Sequence, residues 1–288
     1  VAGVYKVVVG VLILIWISGC SGTEILNIVN RAGHYQTAKD VAYGPHQRQQ
    51  LDIYQPHEPA NACLIVFVYG GGWDSGSKAQ YGFVAAALAR KGYTLVVPDY
   101  RLYPEVQHPA FVADIAQAIA SEPVQALAKR KSLVMMGHSA GAMIAGLISF
   151  DPKYLQAVGL TPDIIDAYVT LAGPHDYFLP TQKPRWTNIF GTDPIQQLDA
   201  LTVNHIRPQN PPTLILQGAA DKTVTPKSAV SLEQKLQNAG VPVARKTYPG
   251  VTHVQLVAAM GQPLGFLAPT LVDIDHFLQQ RCTKANTP

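Results

Sequence analysis

Residues 137–141 read Gly-His-Ser-Ala-Gly. A serine between two glycines at this spacing is the pattern of a nucleophile held on a tight strand-to-helix turn, where larger flanking side chains would clash. The pattern alone is weak, since common residues produce it by chance in about one chain in ten of this length. Its setting strengthens it. The apolar run 132–136 (SLVMM) leads into it and the apolar stretch 142–150 follows, which is the strand, turn and helix that the chemistry requires. Ser139 is therefore the expected nucleophile, against the alternative of a plain glycine-rich turn.

A serine hydroxyl is a poor nucleophile without a base and a group to orient that base. On a turn of this kind the chain order is Ser, then Asp or Glu, then His. His253 closes the turn-rich segment 248–253 (YPGVTH), and Asp221 closes 217–221 (QGAAD). Both follow strand-like runs, at the edge where open α/β sheets place their sites. His276 also comes after Ser139 but lies within a helix pattern. Asp176, in Gly173-Pro174-His175-Asp176, is the competing acid; its place after an earlier strand suits the base of a cap or a pocket wall. The triad expected is Ser139, His253 and Asp221. Charge developing on a tetrahedral intermediate also needs backbone donors. Gly70-Gly71-Gly72-Trp73 offers amides with no Cβ in the way, and the Ala140 amide, next after the nucleophile, completes the set.

These groups need a scaffold that brings strand ends to one edge. From about residue 27 strand-like and helix-like stretches alternate, which predicts an α/β domain with a mainly parallel sheet flanked by helices. Strands are expected at 50–55, 63–69, 94–98, 132–136, 166–171, 213–217 and 243–248. Helices are expected at 81–91, 108–120, 142–150, 228–239 and 269–280. Runs such as 63–69 (CLIVFVY) are apolar throughout, as a strand buried on both faces should be. The stretch 173–212 breaks the rhythm, is rich in proline and carries Trp186 and Phe190. A long connection of this kind in a compact domain is usually either functional or mobile, and a small cap is expected between the strands near 173 and 213. Position alone makes Trp73, Tyr100, His175, Trp186, Phe190 and Val224 the candidates for lining a substrate pocket, with a structural role as the alternative for each.

The chain has 288 residues, 48% of them hydrophobic, and a formal net charge of only +3. That is enough apolar material for one large core, and too little positive field to suggest a nucleic-acid partner. The three cysteines show neither CxxC nor Cys/His metal spacing, so no zinc site is expected. Cys63 opens a core strand and Cys282 ends the last helix, which favours two unpaired thiols over a bridge.

Taken together, Tyr69-Gly70-Gly71-Gly72-Trp73, Asp99-Tyr100-Arg101-Leu102-Tyr103-Pro104-Glu105 and the Ser139 turn resemble the motifs of hormone-sensitive-lipase-like carboxylesterases. They also resemble the feruloyl-esterase-like and arylformamidase-like α/β-hydrolases, whose branches Leu51-Asp52-Ile53-Tyr54-Gln55-Pro56, Ala172-Gly173-Pro174-His175-Asp176 and Gly218-Ala219-Ala220-Asp221 fit best. The resemblance spans about residues 40–280. It implies an α/β-hydrolase fold and a serine ester hydrolase that needs no cofactor and no metal. It also implies Gly71, Gly72 and Ala140 as the oxyanion donors, and structural rather than chemical places for Asp99, Arg101, Glu105 and Asp114. One position departs: Tyr69 stands where these families usually carry a histidine that braces the oxyanion loop. A phenol can still donate one hydrogen bond, so the geometry is expected to be altered and the activity retained.

The N-terminus has its own signature. Residues 7–17 are apolar apart from Gly10, preceded by Lys6 and followed by Ser18-Gly19-Cys20-Ser21. The run is too short for a comfortable membrane span and has the regions of a secretory signal. Residues 17–20 resemble a bacterial lipobox, in which the cysteine is lipidated, and Ser21 resembles the sorting position of outer-membrane lipoproteins. The expectation is a lipoprotein signal at 1–19, an anchor and linker at 20–39 beginning at lipidated Cys20, and a catalytic domain at 40–288. That places the protein in the bacterial cell envelope, on the outer membrane facing the periplasm. A retained anchor and an ordinary cleaved signal are the alternatives.

The reaction expected is hydrolysis of small or medium acyl esters through an acyl-enzyme. Formamide hydrolysis uses the same triad and stays open, as do a catalytically inactive binding protein of the same fold and a lipase acting at interfaces. The oligomeric state is left open.

Overall fold

Eight strands form one sheet in the computed structural model, which describes residues 22–30, 35–58, 61–129, 131–176 and 184–282. They are β1 (Tyr35–Ala42), β2 (Gln50–Pro56), β3 (Cys63–Val68), β4 (Thr94–Pro98), β5 (Ser132–His138), β6 (Ile165–Leu171), β7 (Thr213–Gly218) and β8 (Val243–Tyr248). The first helices are α1 (Gly22–Asn30), α2 (Gly82–Ala89), α3 (Ala110–Ala120), α4 (Glu122–Ala128), α5 (Ala140–Phe150) and α6 (Pro152–Gln156). After them come α7 (Pro184–Phe190), α8 (Pro194–Asp199), α9 (Pro226–Asn238), α10 (His253–Ala258) and α11 (Thr270–Gln279).

The spatial order is β1-β2-β4-β3-β5-β6-β7-β8. β1 and β2 run antiparallel to their neighbours, and every pairing from β4 onward is parallel. The chain leaves β3 for β4 on one side and later returns to lay β5 on the other. The order of strands thus reverses between β3 and β5, the switch point where α/β sheets open a crevice. The register aligns Val68 with Gly137 and Leu171 with His138, so the loops after β3 and β5 emerge side by side. β3, β4, β5 and β7 are buried along their whole length, which is why they read as continuous apolar runs.

α5 is the centre of the packing. Every residue from Ala140 to Phe150 is buried, as expected of a helix that is apolar on all faces. Burial of each large side chain such as Met143, Ile144 or Leu147 contributes roughly 1.5–3 kcal/mol, so the helix that begins at the nucleophile turn is fixed along its length.

Two expectations are corrected. Cys63 and Cys282 are joined in a disulfide, with Cα atoms 5.2 Å apart across 219 residues of sequence. The return of α11 onto the sheet carries Cys282 to the start of β3, a juxtaposition with no trace in the local sequence. β1 was not foreseen because it is a mostly exposed edge strand (YQTAKDVA) and lacks the apolar alternation of a half-buried one. Between β6 and β7 the described residues of 173–212 include α7, α8 and a 3-10 turn (Thr202–His205). The signal sequence and Cys20 lie outside the described residues. Among the described residues no helix is long and apolar enough to cross a membrane.

Candidate active site

Ser139 occupies a backbone conformation of φ 55° and ψ −126°. A non-glycine residue at positive φ costs on the order of 1–3 kcal/mol and persists only where its surroundings enforce it. Here they do. A Cβ on Gly137 would lie 2.4 Å from the Gly141 carbonyl oxygen, and a Cβ on Gly141 would lie 2.2 Å from that of Val68. The glycines of the motif are therefore required by close approach, within the turn and against the end of β3. The Ser139 amide is anchored to the Leu171 carbonyl at 2.9 Å, leaving the side chain at the crest.

The base arrives from the loop after β8. His253 is the first residue of α10, set by a capping box between Thr252 and Gln255. Its Nε2 lies 2.8 Å from Ser139 Oγ and its Nδ1 lies 2.7 Å from Asp221 Oδ2. Asp221 follows β7, and its Oδ1 accepts the amides of Thr223 and Val224 at 2.8 and 2.9 Å. Gln217 Nε2 donates to Oδ2 at 3.1 Å. Burial pushes the Asp221 carboxyl upward, but the bonds from His253, Val224 and Thr223 outweigh it and hold the group below the usual carboxylate range. The acid is thus kept ionised beside the imidazole, which fixes the proton on Nδ1 and leaves Nε2 free to accept one from Ser139.

The loop after β3 faces this array. Gly71 has φ 142° and Gly72 φ 60°, and the Gly71 carbonyl is turned away into bonds from the Ser75 amide and hydroxyl at 3.1 and 2.7 Å. A Cβ on Gly70 would come within 2.9 Å of the Ser139 Cβ, so this backbone runs directly against the nucleophile. Among the described residues, the amides of Gly71, Gly72 and Ala140 have no hydrogen-bond acceptor.

Beneath the loop, the Tyr69 hydroxyl is tied to two charged side chains. It donates to Asp99 Oδ1 at 2.7 Å and accepts from Arg48 Nη2 at 2.8 Å. Arg48 also holds the Tyr100 and Gly76 carbonyls, both at 2.8 Å. Tyr69 and Tyr100 stack with centroids 4.7 Å apart. Burial raises the Tyr69 phenol well above its usual value, so it remains a neutral donor.

The other expected residues separate into two groups. Trp73, Trp186 and Phe190 meet edge to face, at 5.2 and 4.9 Å from Trp73, and join α7 to the loop after β3. The Arg185–Asp74 ion pair at 2.6 Å reinforces that junction. Tyr100, His175 and Val224 are placed otherwise. Tyr100 is wholly buried with its hydroxyl on the Tyr69 carbonyl at 2.9 Å, so it supports the loop from below. His175 is buried against Thr170 Oγ1 at 2.7 Å, and Val224 serves Asp221 through its amide. Asp176 bonds Ser231 at the foot of the cap, while His276 pairs with Gln280 on α11. Arg101 grips Asp114 with its backbone amide and guanidinium, a structural role as the resemblance implied. Sequence reading missed Arg48, Tyr81, His138 and Gln217, since a polar residue in a strand or loop carries no local sign of its distant partner.

Asp151, Asp199 and His205 lie close enough together to hold a cation. The Lys153 ammonium already sits 2.8 and 2.6 Å from the two carboxylates, so the cluster is a salt-bridged clasp between α6 and the cap.

An α/β-hydrolase fold thus carries a hydrogen-bonded serine–histidine–aspartate array beside the glycine loop after β3. The chain belongs to the BD-FAE family, whose model matches residues 51–236, more than half of its length. It is 27% identical over 244 residues to a probable isoprenylcysteine alpha-carbonyl methylesterase of Arabidopsis thaliana, covering 77% of this chain and 58% of that one. It is 32% identical over 129 residues to a kynurenine formamidase of Danio rerio, covering 44% and 42%. The chain therefore spans about half the length of the curated relatives it matches. A carbohydrate esterase from gut microbiota, solved in truncated form, shares the fold at a TM-score of 0.72 with 21% identity, covering 86% of this chain and 97% of that one.

Proposed function

We propose that the protein is a serine carboxylic ester hydrolase that acts through an acyl-enzyme on esters of small or medium acyl groups. The observation that carries this reading is the unbroken chain from Asp221 through His253 to Ser139, at 2.7 and 2.8 Å. Ser139 Oγ attacks the ester carbonyl while His253 Nε2 takes its proton. The amides of Gly71, Gly72 and Ala140 receive the negative oxygen, a type of stabilisation worth roughly 3–4 kcal/mol per donor in comparable sites. His253 then protonates the departing alcohol, and water repeats the sequence to release the acid. Trp73, Trp186 and Phe190 pack together beside the loop after β3, an aromatic setting that supports a modest acyl or aromatic group.

The test is hydrolysis of p-nitrophenyl acetate, butyrate and decanoate by the wild-type chain beside Ser139→Ala. Turnover that disappears in the variant supports the proposal, and absence of turnover by folded wild type defeats it. Amide chemistry is the second reading, favoured by the similarity to a kynurenine formamidase; assays on formanilides run beside the esters separate the two.

The setting belongs to the same proposal: a catalytic domain over 40–288, held through lipid on Cys20 to the outer membrane and facing the periplasm. The segment Ile17-Ser18-Gly19-Cys20 supports it, as does the Cys63–Cys282 disulfide, because such bonds persist in oxidising compartments. Loss of palmitate incorporation in Cys20→Ala, against incorporation by wild type, is the expected result.

A further inference from the structure

We propose that His138 and Tyr81 are positioning residues that couple the base to the oxyanion strand, holding the His253 backbone in register with Ser139. This rests on the esterase reading above. His138 is the variable residue before the nucleophile, and its ring is turned inward, only 4% exposed. A polar ring buried this deeply is costly unless its nitrogens are used.

Both nitrogens are used, and their partners define the proton. Nε2 lies 3.3 Å from the His253 carbonyl oxygen. A carbonyl only accepts, so Nε2 carries the hydrogen. Nδ1 is then an acceptor, and the Tyr81 hydroxyl 3.4 Å away donates to it. The Gly70 backbone faces that same hydroxyl oxygen, and the Tyr81 ring lies against Phe67 and Tyr69 at 5.6 and 5.8 Å. The His138 and His253 rings also pack with centroids 4.9 Å apart.

The result is a cross-link between two loops that arise from different strands. On one side is the strand end leading into the oxyanion amides, and on the other is the residue that must present Nε2 to Ser139. Asp221 fixes the far end of the His253 side chain, while His138 fixes its backbone. Burial, with the neighbouring His253 acting in the same direction, pushes His138 down to about 3, and burial pushes Tyr81 up to about 12. Both groups therefore keep their single protons over the range in which an esterase works. Displacement of a catalytic group by about 1 Å can cost on the order of 10²-fold in rate.

The test uses the full chain with His138→Leu, His138→Gln and Tyr81→Phe. It reads kcat and KM on p-nitrophenyl butyrate and the rate at which a small fluorophosphonate labels Ser139. Leucine fills the space without a donor, whereas the glutamine amide can reach the same carbonyl. The expected result is a loss of roughly 10–100-fold in kcat for His138→Leu with KM within about twofold. His138→Gln is expected to recover much of that loss and Tyr81→Phe to fall between, with labelling rates in the same order. Wild-type kcat and labelling in folded His138→Leu overturn the proposal, as does a glutamine variant no better than leucine. Tyr81→Phe removes one oxygen only, so it remains readable if His138→Leu does not fold, and wild-type rates there also overturn it. A wild type that labels but hydrolyses no ester defeats the esterase reading alone, and the labelling order still decides the bridge. A wild type that does neither removes both.

Discussion

Replacing Asp221 with Asn tests the array where its geometry is most constrained. Oδ1 accepts two backbone amides, from Thr223 and Val224, while Oδ2 faces His253 Nδ1. An asparagine must choose which end carries its NH2 group. With its oxygen toward the two amides, it turns NH2 toward Nδ1, which must then accept. The imidazole proton is forced onto Nε2, the nitrogen 2.8 Å from Ser139 Oγ, and the base can no longer take a proton. The first orientation sets NH2 against one donor, Gln217 Nε2, whereas the flipped amide would set it against two backbone donors and leave them unpaired, at about 1–3 kcal/mol each. The inactive tautomer is therefore the stable one. Trapping a triad histidine in this way lowers kcat by about 10⁴-fold, equivalent to roughly 5.4 kcal/mol of barrier. Steady-state hydrolysis of p-nitrophenyl butyrate, normalised by active-site labelling, should show that loss with KM changed only a few-fold. Activity in Asp221→Asn within tenfold of wild type would refute the reasoning and require another residue, such as Asp176, to orient His253.

Three further outcomes follow from the same structure. Closing a loop of 219 residues removes chain entropy worth about 5 kcal/mol at 25 °C, so Cys282→Ser should lower the unfolding free energy by an amount of that order; equal urea midpoints for wild type and variant count against it. Burial pushes His138 and His175 down to about 3, against 6.5 in the open chain. The unfolded state therefore binds more protons between those values, so their contribution is complete above pH 6.5 and is lost as pH falls, by ~1.4 kcal/mol per pH unit for each histidine. A urea midpoint that stays level from pH 6.5 to 4.5 contradicts this. Tyr69→Phe deletes a donor to Asp99 and an acceptor for Arg48, bonds to charged groups worth roughly 1.5–3 kcal/mol each. It should reduce both melting temperature and kcat, and a variant unchanged in both would show that Tyr69 braces nothing.

The sequence by itself determined the nucleophile turn and the scaffold beneath it, because both are local. Strands buried on two faces must be apolar throughout, a turn this tight demands glycine at 137 and 141, and the order Ser139, Asp221, His253 follows the order in which strand ends reach one edge. Burial and partnership are settled elsewhere. β1 was missed because an exposed edge strand is held by its ladder to β2 rather than by apolar alternation. Tyr100, His175 and Val224 sit near the chemistry in sequence, yet only packing shows that they support the loop, the cap base and the acid. Tyr69 is expected from its chemistry to donate one hydrogen bond, but only the fold names its partners, Arg48 and Asp99, 21 and 30 positions away. Cys63 and Cys282 pair because α11 folds back onto the sheet. In each case the deciding contact joins residues far apart along the chain, and its energy depends on a distance that no local pattern of residues records.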